Sequence, residues 1–202
     1  MILRLETEKD YFENVNLTRE AFWNVYRPGC DEHLLHRNIR SAASYIKDLC
    51  YVAEEDGKLV GNIVYAKMWK DGKMCDEVIG FGPLSVLPEK QKQGVGSALV
   101  TDTLKRAKEM GFKAVLITGN PDYYHRFGFS SATKFGVRLS DIAEGDEASF
   151  FMAVELEEGY LTEHAGVYDF DPVYVPDAKE LEEFEKQFPI KKKREPRETD
   201  LG

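Results

Sequence analysis

The sequence predicts an α/β protein whose mixed sheet is flanked by helices, and three stretches carry that reading. Two strand–turn patterns centre on Glu55-Asp56-Gly57-Lys58 and Lys70-Asp71-Gly72-Lys73, with the Asp-Gly turns that join antiparallel strands. The apolar run ending Leu84-Ser85-Val86-Leu87-Pro88 passes through a polar, glycine-bearing loop into an amphipathic helix and then into Ala114-Val115-Leu116-Ile117-Thr118. Strand, glycine turn, helix, strand is a βαβ unit, and its two strands run parallel.

At 202 residues the chain is long enough for one sizeable domain, or for a domain with a tail. Its apolar share of 43% and charged share of 31% are those of an ordinary globular protein. The start, Met1-Ile2-Leu3-Arg4-Leu5-Glu6, lacks the basic and then apolar stretches of a secretory leader. No apolar run approaches the ~20 residues of a membrane helix. Cys30, Cys50 and Cys75 are odd in number and widely spaced, which fits free thiols better than disulfides or a zinc site. A net charge of −9 argues against general binding to nucleic acid. The expectation is a cytoplasmic protein that holds no metal and works away from membranes and nucleic acid.

From the N-terminus, Phe12, Val15, Leu17, Phe22 and Trp23 predict an amphipathic helix over residues 7–26, stopped by Arg27-Pro28-Gly29. Asp31 is placed to cap a second helix over 32–42, carrying Leu34, Leu35 and Ile39. His33 and His36 share a face of it, but no second cluster supplies further metal ligands. They are expected on a solvated face or beside a substrate. Strands follow at 49–53, 59–66 and near 76–86. The next helix, over 95–110, shows Val95, Leu99, Ala107 and Met110 on one face, widened by Val100 and Leu104. Gly111 is placed to end it.

After the strand at 114–118, further strands are expected around 134–138 and 148–156. Tyr168 to Pro176 reads as extended chain on the surface. Asp177, with Glu180 three residues on, resembles a capping box for a short helix showing Leu181, Phe184 and Phe188 on one side. The run Lys191-Lys192-Lys193-Arg194-Glu195-Pro196-Arg197 reads as a solvated tail.

The loop before the 95–110 helix gathers main-chain N–H groups and the positive end of a helix dipole, a site for phosphates. Gly94 and Gly96 let an anion approach the backbone. Two nucleotide loops fail on required residues. A P-loop needs Lys then Ser or Thr after its last glycine, but Ser97 follows Gly96 directly. A dinucleotide fingerprint needs a third glycine where Leu99 stands.

The flanks are more specific. Gln91-x-x-Gly94-x-Gly96, preceded by Leu84-Ser85-Val86-Leu87-Pro88, resembles the acetyl-CoA loop of the GNAT superfamily of N-acetyltransferases. Downstream, Tyr124-His125-Arg126-Phe127-Gly128-Phe129 resembles that family's Tyr-x-x-x-Gly-Phe element. The stretch from Gly119 to Phe129 is most like a bacterial branch whose substrates are often unassigned. The likeness covers roughly residues 1–157 and is strongest from 80 to 130. Lys92 departs from the second Gln/Arg-Gly step of many relatives, leaving the N–H donors in place and adding a cation.

The resemblance implies a GNAT-type central sheet that splays between the strand near 80–86 and the strand at 114–118. The chain then divides into an acetyltransferase domain over 1–158, an extension over 159–189 packed on it, and a flexible basic tail over 190–202. By the same likeness, the main chain of Leu84, Ser85 and Val86 holds pantetheine. The N–H groups from Gln91 or Gln93 through Gly94, Val95, Gly96 and Ser97 hold the pyrophosphate. Ser97 adds a hydroxyl, Lys92 a charge, and Asn120 is carried over as a cofactor-binding residue.

Tyr124 matches the family's general acid, since a phenol of pKa about 10 stays protonated at neutral pH and can protonate a thiolate. A main-chain N–H on the splayed strand is the oxyanion donor. Glu77, at the entry of that strand, is the candidate general base, because some relatives use a carboxylate there. His125 is expected at the surface. The implied activity is transfer of an acetyl group from acetyl-CoA, as co-substrate, to a primary amine of a small molecule or peptide. Two other readings are a non-catalytic acyl-CoA-binding module or sensor, and a partner protein using segment 168–188 as an interface. Many relatives dimerise through late strands, so a homodimer is one expectation for the assembly.

Overall fold

In the computed structural model, which describes residues 1–200, two Asp-Gly turns build the centre of the sheet. Strand β1 (Ile2–Leu5) pairs antiparallel with β2 (Tyr51–Glu55), which turns into β3 (Lys58–Lys70), which turns into β4 (Lys73–Val86). Asp56, Gly57, Asp71 and Gly72 have φ of 50°, 76°, 49° and 77°. That is the type I′ geometry matching the right-handed twist of the flanking strands. Helices α1 (Tyr11–Phe22) and α2 (Glu32–Ile39) lie between β1 and β2 in the chain, and α3 (Val95–Glu109) joins β4 to β5 (Ala114–Thr118). There follow α4 (Pro121–Tyr124), β6 (Ser130–Ser131), β7 (Val137–Arg138), β8 (Phe151–Glu155), α5 (Tyr160–Glu163), β9 (Gly166–Asp169) and α6 (Ala178–Glu185).

The sheet runs β1-β2-β3-β4-β5-β8-β6, with β9 bridging β3 and β7. It is mixed, as expected, because the helical crossover makes β4 and β5 parallel. Side chains alternate across it, and each face has its own cover. Tyr51 and Ala53 pack with Val95, Leu99 and Ala107 of α3, whereas Val52 between them packs with Leu17 of α1. Helix α3 therefore lies on one face and α1 with α2 on the other.

Several local expectations shift. The first helix ends at Phe22, and Trp23 to Gly29 form a turn in which Asn24 N donates to Gly29 O at 2.8 Å. Met110 is exposed rather than packed, since it caps α3 beyond the sheet. The buried face instead takes in Thr103, whose hydroxyl donates to Leu99 O at 2.7 Å and meets Tyr65 Oη at 3.0 Å. Asp177 caps α6 by accepting from Lys179 N and Glu180 N, but Glu180 does not reach back; it pairs with Arg37 of α2. Tyr168 is fully buried, not superficial, because β9 pairs beside β3.

The segment after Glu158 is knitted into the domain. Phe184 and Phe188 pack with Val15 of α1 and Leu34 of α2, and Arg19 donates to Glu185 at 2.7 Å. The basic run expected as a flexible tail makes defined contacts up to Asp200. Lys191 pairs with Glu20 at 2.7 Å, and the Lys192 carbonyl accepts from Trp23 Nε1 at 3.1 Å. Residues 201 and 202 of that expectation lie outside the described residues. No helix among the described residues is long and apolar enough to cross a membrane.

Candidate active site

Strands β4 and β5 pair only at Val78–Ala114, Ile79–Val115 and Gly80–Leu116. Past Gly80, β4 continues to Val86 beside β3 while β5 ends at Thr118, so the two strands part. A cleft of about 1140 Å³ occupies the gap. It exceeds the roughly 300–1,000 Å³ of most small-molecule pockets, which leaves room for two ligands meeting end to end.

Strand alternation decides which groups of β4 face this cleft. Leu87 N donates to Val60 O at 3.0 Å, and an antiparallel ladder alternates bonded with non-bonded pairs. Ser85, opposite Asn62, therefore turns its main chain toward β3, while Leu84 and Val86 turn theirs into the gap. The Ser85 side chain also points elsewhere, donating to Thr18 Oγ1 of α1 at 3.1 Å. Leu84 and Val86 line the cleft as expected, and Ser85 does not. Its neighbour Phe81 lines the cleft too, and Gly82 O accepts from Tyr174 Oη at 3.0 Å.

The loop after β4 delivers its donors to the same place. Gly94 has φ of 90° with nothing within 4 Å of where a Cβ would stand, so the backbone there is open. Gly96 is needed for another reason: a Cβ would lie 2.7 Å from Tyr123 Oη. Among the described residues no side chain caps α3 and no acid sits in its first turn. The N–H groups of Val95, Gly96 and Ser97 are thus available to an anion, and the helix dipole favours one. Lys92 and Arg126 line this end, whereas Lys90 is engaged with Glu55 at 2.6 Å. Gln91 lines the cleft while donating to Val86 O at 3.2 Å. Gln93 does not line it; its amide donates to Glu89 O at 2.7 Å, bracing the loop from outside.

Asn120 lines the cleft and caps α4 by accepting from Asp122 N at 2.9 Å. That cap sets Tyr124 at the end of a single helical turn, with its ring among Phe81, Tyr123 and Phe129 at centroid distances of 5.9, 4.9 and 5.8 Å. Tyr124 faces the cleft, and burial is the main cause holding its phenol pKa above the ordinary value. His125, next to it, is exposed.

Glu77 is not brought to the cleft. It precedes the paired segment of β4, on the side away from the gap, and there its carboxylate accepts from Tyr160 Oη at 3.1 Å. The histidines are likewise elsewhere: His33 and His36 are fully buried, not solvated. His33 Nε2 stands 2.7 Å from Glu185, and His36 Nδ1 meets Thr18 Oγ1 at 2.8 Å. His36 Nε2 meets Arg40 at 2.9 Å, and Arg40 pairs with the buried Glu6 at 2.5 Å. A polar chain thus runs from Ser85 through Thr18 and His36 to Glu6, behind the splayed strand. Among the described residues there is no cluster of side chains fit to hold a metal ion.

The carboxylate that does line the cleft is Glu32, the first residue of α2. Burial, with the charge of Asp31, pushes its carboxyl up to about 6, against main-chain hydrogen bonds and Arg27. Phe22, Tyr26, Leu35, Phe150, Phe170 and Tyr174 line the same cleft. None of these seven residues stands in the motifs described above, and three follow the 14–129 stretch discussed next. Phe22 and Leu35 are legible only as apolar positions of the first two helices, and nothing local marks the others as neighbours of one cleft.

The Acetyltransferase (GNAT) family model matches residues 14–129, which run from α1 to Phe129 and contain both the loop and Tyr124. The uncharacterized N-acetyltransferase YhbS of Escherichia coli K12 is 29% identical over 122 residues, covering 55% of this chain and 72% of that protein. The uncharacterized N-acetyltransferase YjhQ of the same organism is 34% identical over 82 residues, covering 40% of this chain and 45% of that protein. The chain thus spans less than half the length of that second relative.

The crystal structure of Escherichia coli YhbS in complex with CoA aligns with a TM-score of 0.75 at 25% identity, over 86% of this chain and 91% of that one. A GNAT acetyltransferase from Brucella melitensis, crystallised with acetyl-CoA, shares the fold with a TM-score of 0.69 at 24% identity, over 86% of this chain and 97% of that one. With more than half of its length matched by the family model, and with the splayed sheet to go with it, the chain belongs to the GNAT acetyltransferase family.

Proposed function

We propose that the chain transfers an acetyl group from acetyl-CoA to a primary amine by direct attack, with Tyr124 as general acid. The observation that carries this reading is the gap itself. The outward main chain of Leu84 and Val86 runs along it, the uncapped start of α3 closes one end, and the Tyr124 phenol faces it. Coenzyme A fits these donors. Its pantetheine amides match an open strand edge, and its phosphates match the N–H groups of Val95 to Ser97 with Lys92 and Arg126 beside them. The relative crystallised with CoA supports the same assignment.

The thioester supplies an activated acetyl carbon; the rest falls to the chain. Outward N–H groups of β4 stabilise negative charge on the carbonyl oxygen as the amine adds, an effect worth roughly 3–4 kcal/mol per donor where measured. Tyr124 then passes its proton to the departing sulfur. A phenol held above its ordinary pKa stays protonated at working pH, which an acid requires and a base does not. The unpaired thiols of Cys30, Cys50 and Cys75 support work in a reducing compartment.

The test is amine-dependent release of free thiol from acetyl-CoA by the full chain. An acetyltransferase releases thiol in proportion to added amine. Tight CoA binding with no release above the amine-free rate, across a broad amine panel, overturns the reading in favour of a non-catalytic acyl-CoA-binding module.

A further inference from the structure

The cleft has two electrically distinct ends. Lys92 and Arg126 mark the end at the start of α3, and no acid stands there. Away from that loop, at the start of α2, Glu32 is the sole carboxylate lining the cleft among the described residues, in a chain carrying 36 acidic side chains. Selective absence of acids everywhere else in the cleft makes this one informative.

Glu32 is also unmatched. Its neighbour Asp31 is paired with Arg27 at 2.9 Å. No Lys, Arg or His of the described residues comes within ion-pair distance of Glu32 itself. Arg27 acts on it only through space, Asp31 N donates to its Oε2 at 3.1 Å, and the other titratable groups near it, Tyr26 and the buried thiol of Cys30, carry no positive charge. A partly buried carboxylate without a paired cation is costly, and burial raises its pKa. A ligand ammonium removes that cost.

The walls restrict what carries the ammonium. Phe22 and Tyr26 come from α1 and the turn after it, Phe150 precedes β8, and Phe170 and Tyr174 follow β9. Tyr174 is fixed by its bond to Gly82 O at 3.0 Å, and Phe170 leans against it, its ring tilted by 41° with centroids 5.0 Å apart. Rings on several walls favour an apolar or aromatic body. A second or third ammonium of a polyamine or aminoglycoside would lie against these rings with no carboxylate to meet it.

We infer that the acceptor is a small monoamine on an aromatic or apolar body, held through its ammonium by Glu32, which also takes the ammonium proton. This rests on the acetyltransferase reading above. In the step, the ammonium gives one proton to Glu32 and the freed amine nitrogen bonds to the acetyl carbon. The carbon–sulfur bond breaks, and Tyr124 protonates the sulfur. The nitrogen's remaining excess proton passes to solvent as Glu32 and Tyr124 return to their starting states. The products are an N-acetyl amine, the free thiol and one net proton.

Two measurements test it: thiol release, and calorimetric binding of amines to the protein saturated with CoA. The panel is 2-phenylethylamine and other arylalkylamines, spermidine, an aminoglycoside and a lysine-bearing peptide. For arylalkylamines kcat/KM is expected to exceed that for the polycations by about 100-fold or more. Glu32→Gln is expected to lower it by roughly 100-fold and to abolish arylalkylamine binding, with CoA affinity and Tm kept. Glu32→Asp should restore part of the binding. Equal or better turnover of polycations or of the peptide, or full amine binding by Glu32→Gln, overturns the inference and leaves the acetyltransferase reading standing. Glu32-dependent arylalkylamine binding without thiol release supports the inference and overturns that reading instead.

Discussion

The ring of Tyr124 occupies the space a side chain at position 119 would fill: a Cβ on Gly119 would stand 2.5 Å from Tyr124 Cε2. Glycine at the end of β5 is therefore what lets the phenol lean over the gap. Gly119→Ala should displace the ring while leaving Leu84, Val86 and the start of α3 untouched. Reactive-group misplacement of about 1 Å costs up to roughly 100-fold in rate. The expected outcome is a kcat lowered about 10- to 100-fold with CoA affinity, by calorimetry, changed less than about 2-fold. An unchanged kcat would remove Tyr124 from the chemistry.

Lys92 holds a left-handed backbone, φ 61°, that glycine, and less often asparagine or aspartate, adopts without strain. Strain of that kind persists where the residue is used. Lys92→Asn tolerates the conformation and deletes the charge. CoA affinity should weaken about 3- to 10-fold at low salt, as expected for one exposed charge beside a phosphate, with the difference shrinking toward 1 M salt. Stability should hold or rise slightly. Equal affinity at low salt would place the phosphates away from this loop.

Burial lowers the His33 pKa to about 4, against the pull of Glu185 and with the help of Arg19. The unfolded chain binds a proton near pH 6.5 that the folded chain refuses until about 4, so stability falls as pH drops through that window. Glu6 adds a second loss lower down: despite burial, His36 and Arg40 beside it hold its carboxyl at about 2. Its stabilising effect is intact above the ordinary carboxylate range and disappears as pH falls toward 2. Thermal unfolding from pH 7 to 4 should show a loss on the order of 1–3 kcal/mol, and His33→Gln should flatten the part between 6.5 and 4. A pH-independent wild type across that range would contradict the buried, neutral His33.

Local signals carried much of this into view before any coordinates. Asp-Gly turns need only their own positive φ, so both hairpins are readable, and the strand at 114–118 coincides with the apolar run Ala114-Val115-Leu116-Ile117 and the threonine after it. Leu84, Val86, the Gly94–Ser97 stretch and Tyr124 were reachable because strand, loop and helix follow one another in the chain. Ser85 shows the cost of ignoring alternation: between two cleft-facing residues it turns to Thr18.

What depends on distant segments stayed hidden. Glu32 gains its position only when α2 is folded against the splay, 50 residues before Gly82 and 92 before Tyr124. Glu77 is suggested by the relatives that use a carboxylate at the entry of this strand, whereas the splay opens at the strand's other end. His33 and His36 read as solvated because hydropathy has no knowledge of the carboxylates that meet them. Strand β1 has four residues and no turn signal, and it exists through pairing with β2 alone.

The most direct test is Tyr124→Phe, which keeps the ring packing and removes only the hydroxyl. With the best amine of the panel, kcat for thiol release should fall roughly 100-fold or more, while the affinity for CoA and the Tm stay at wild-type values. The wild type should show no loss of activity from Tyr124 ionisation as pH rises to 9, because burial holds that phenol above its ordinary pKa. A Tyr124→Phe variant with wild-type kcat and an unchanged pH profile would contradict the account.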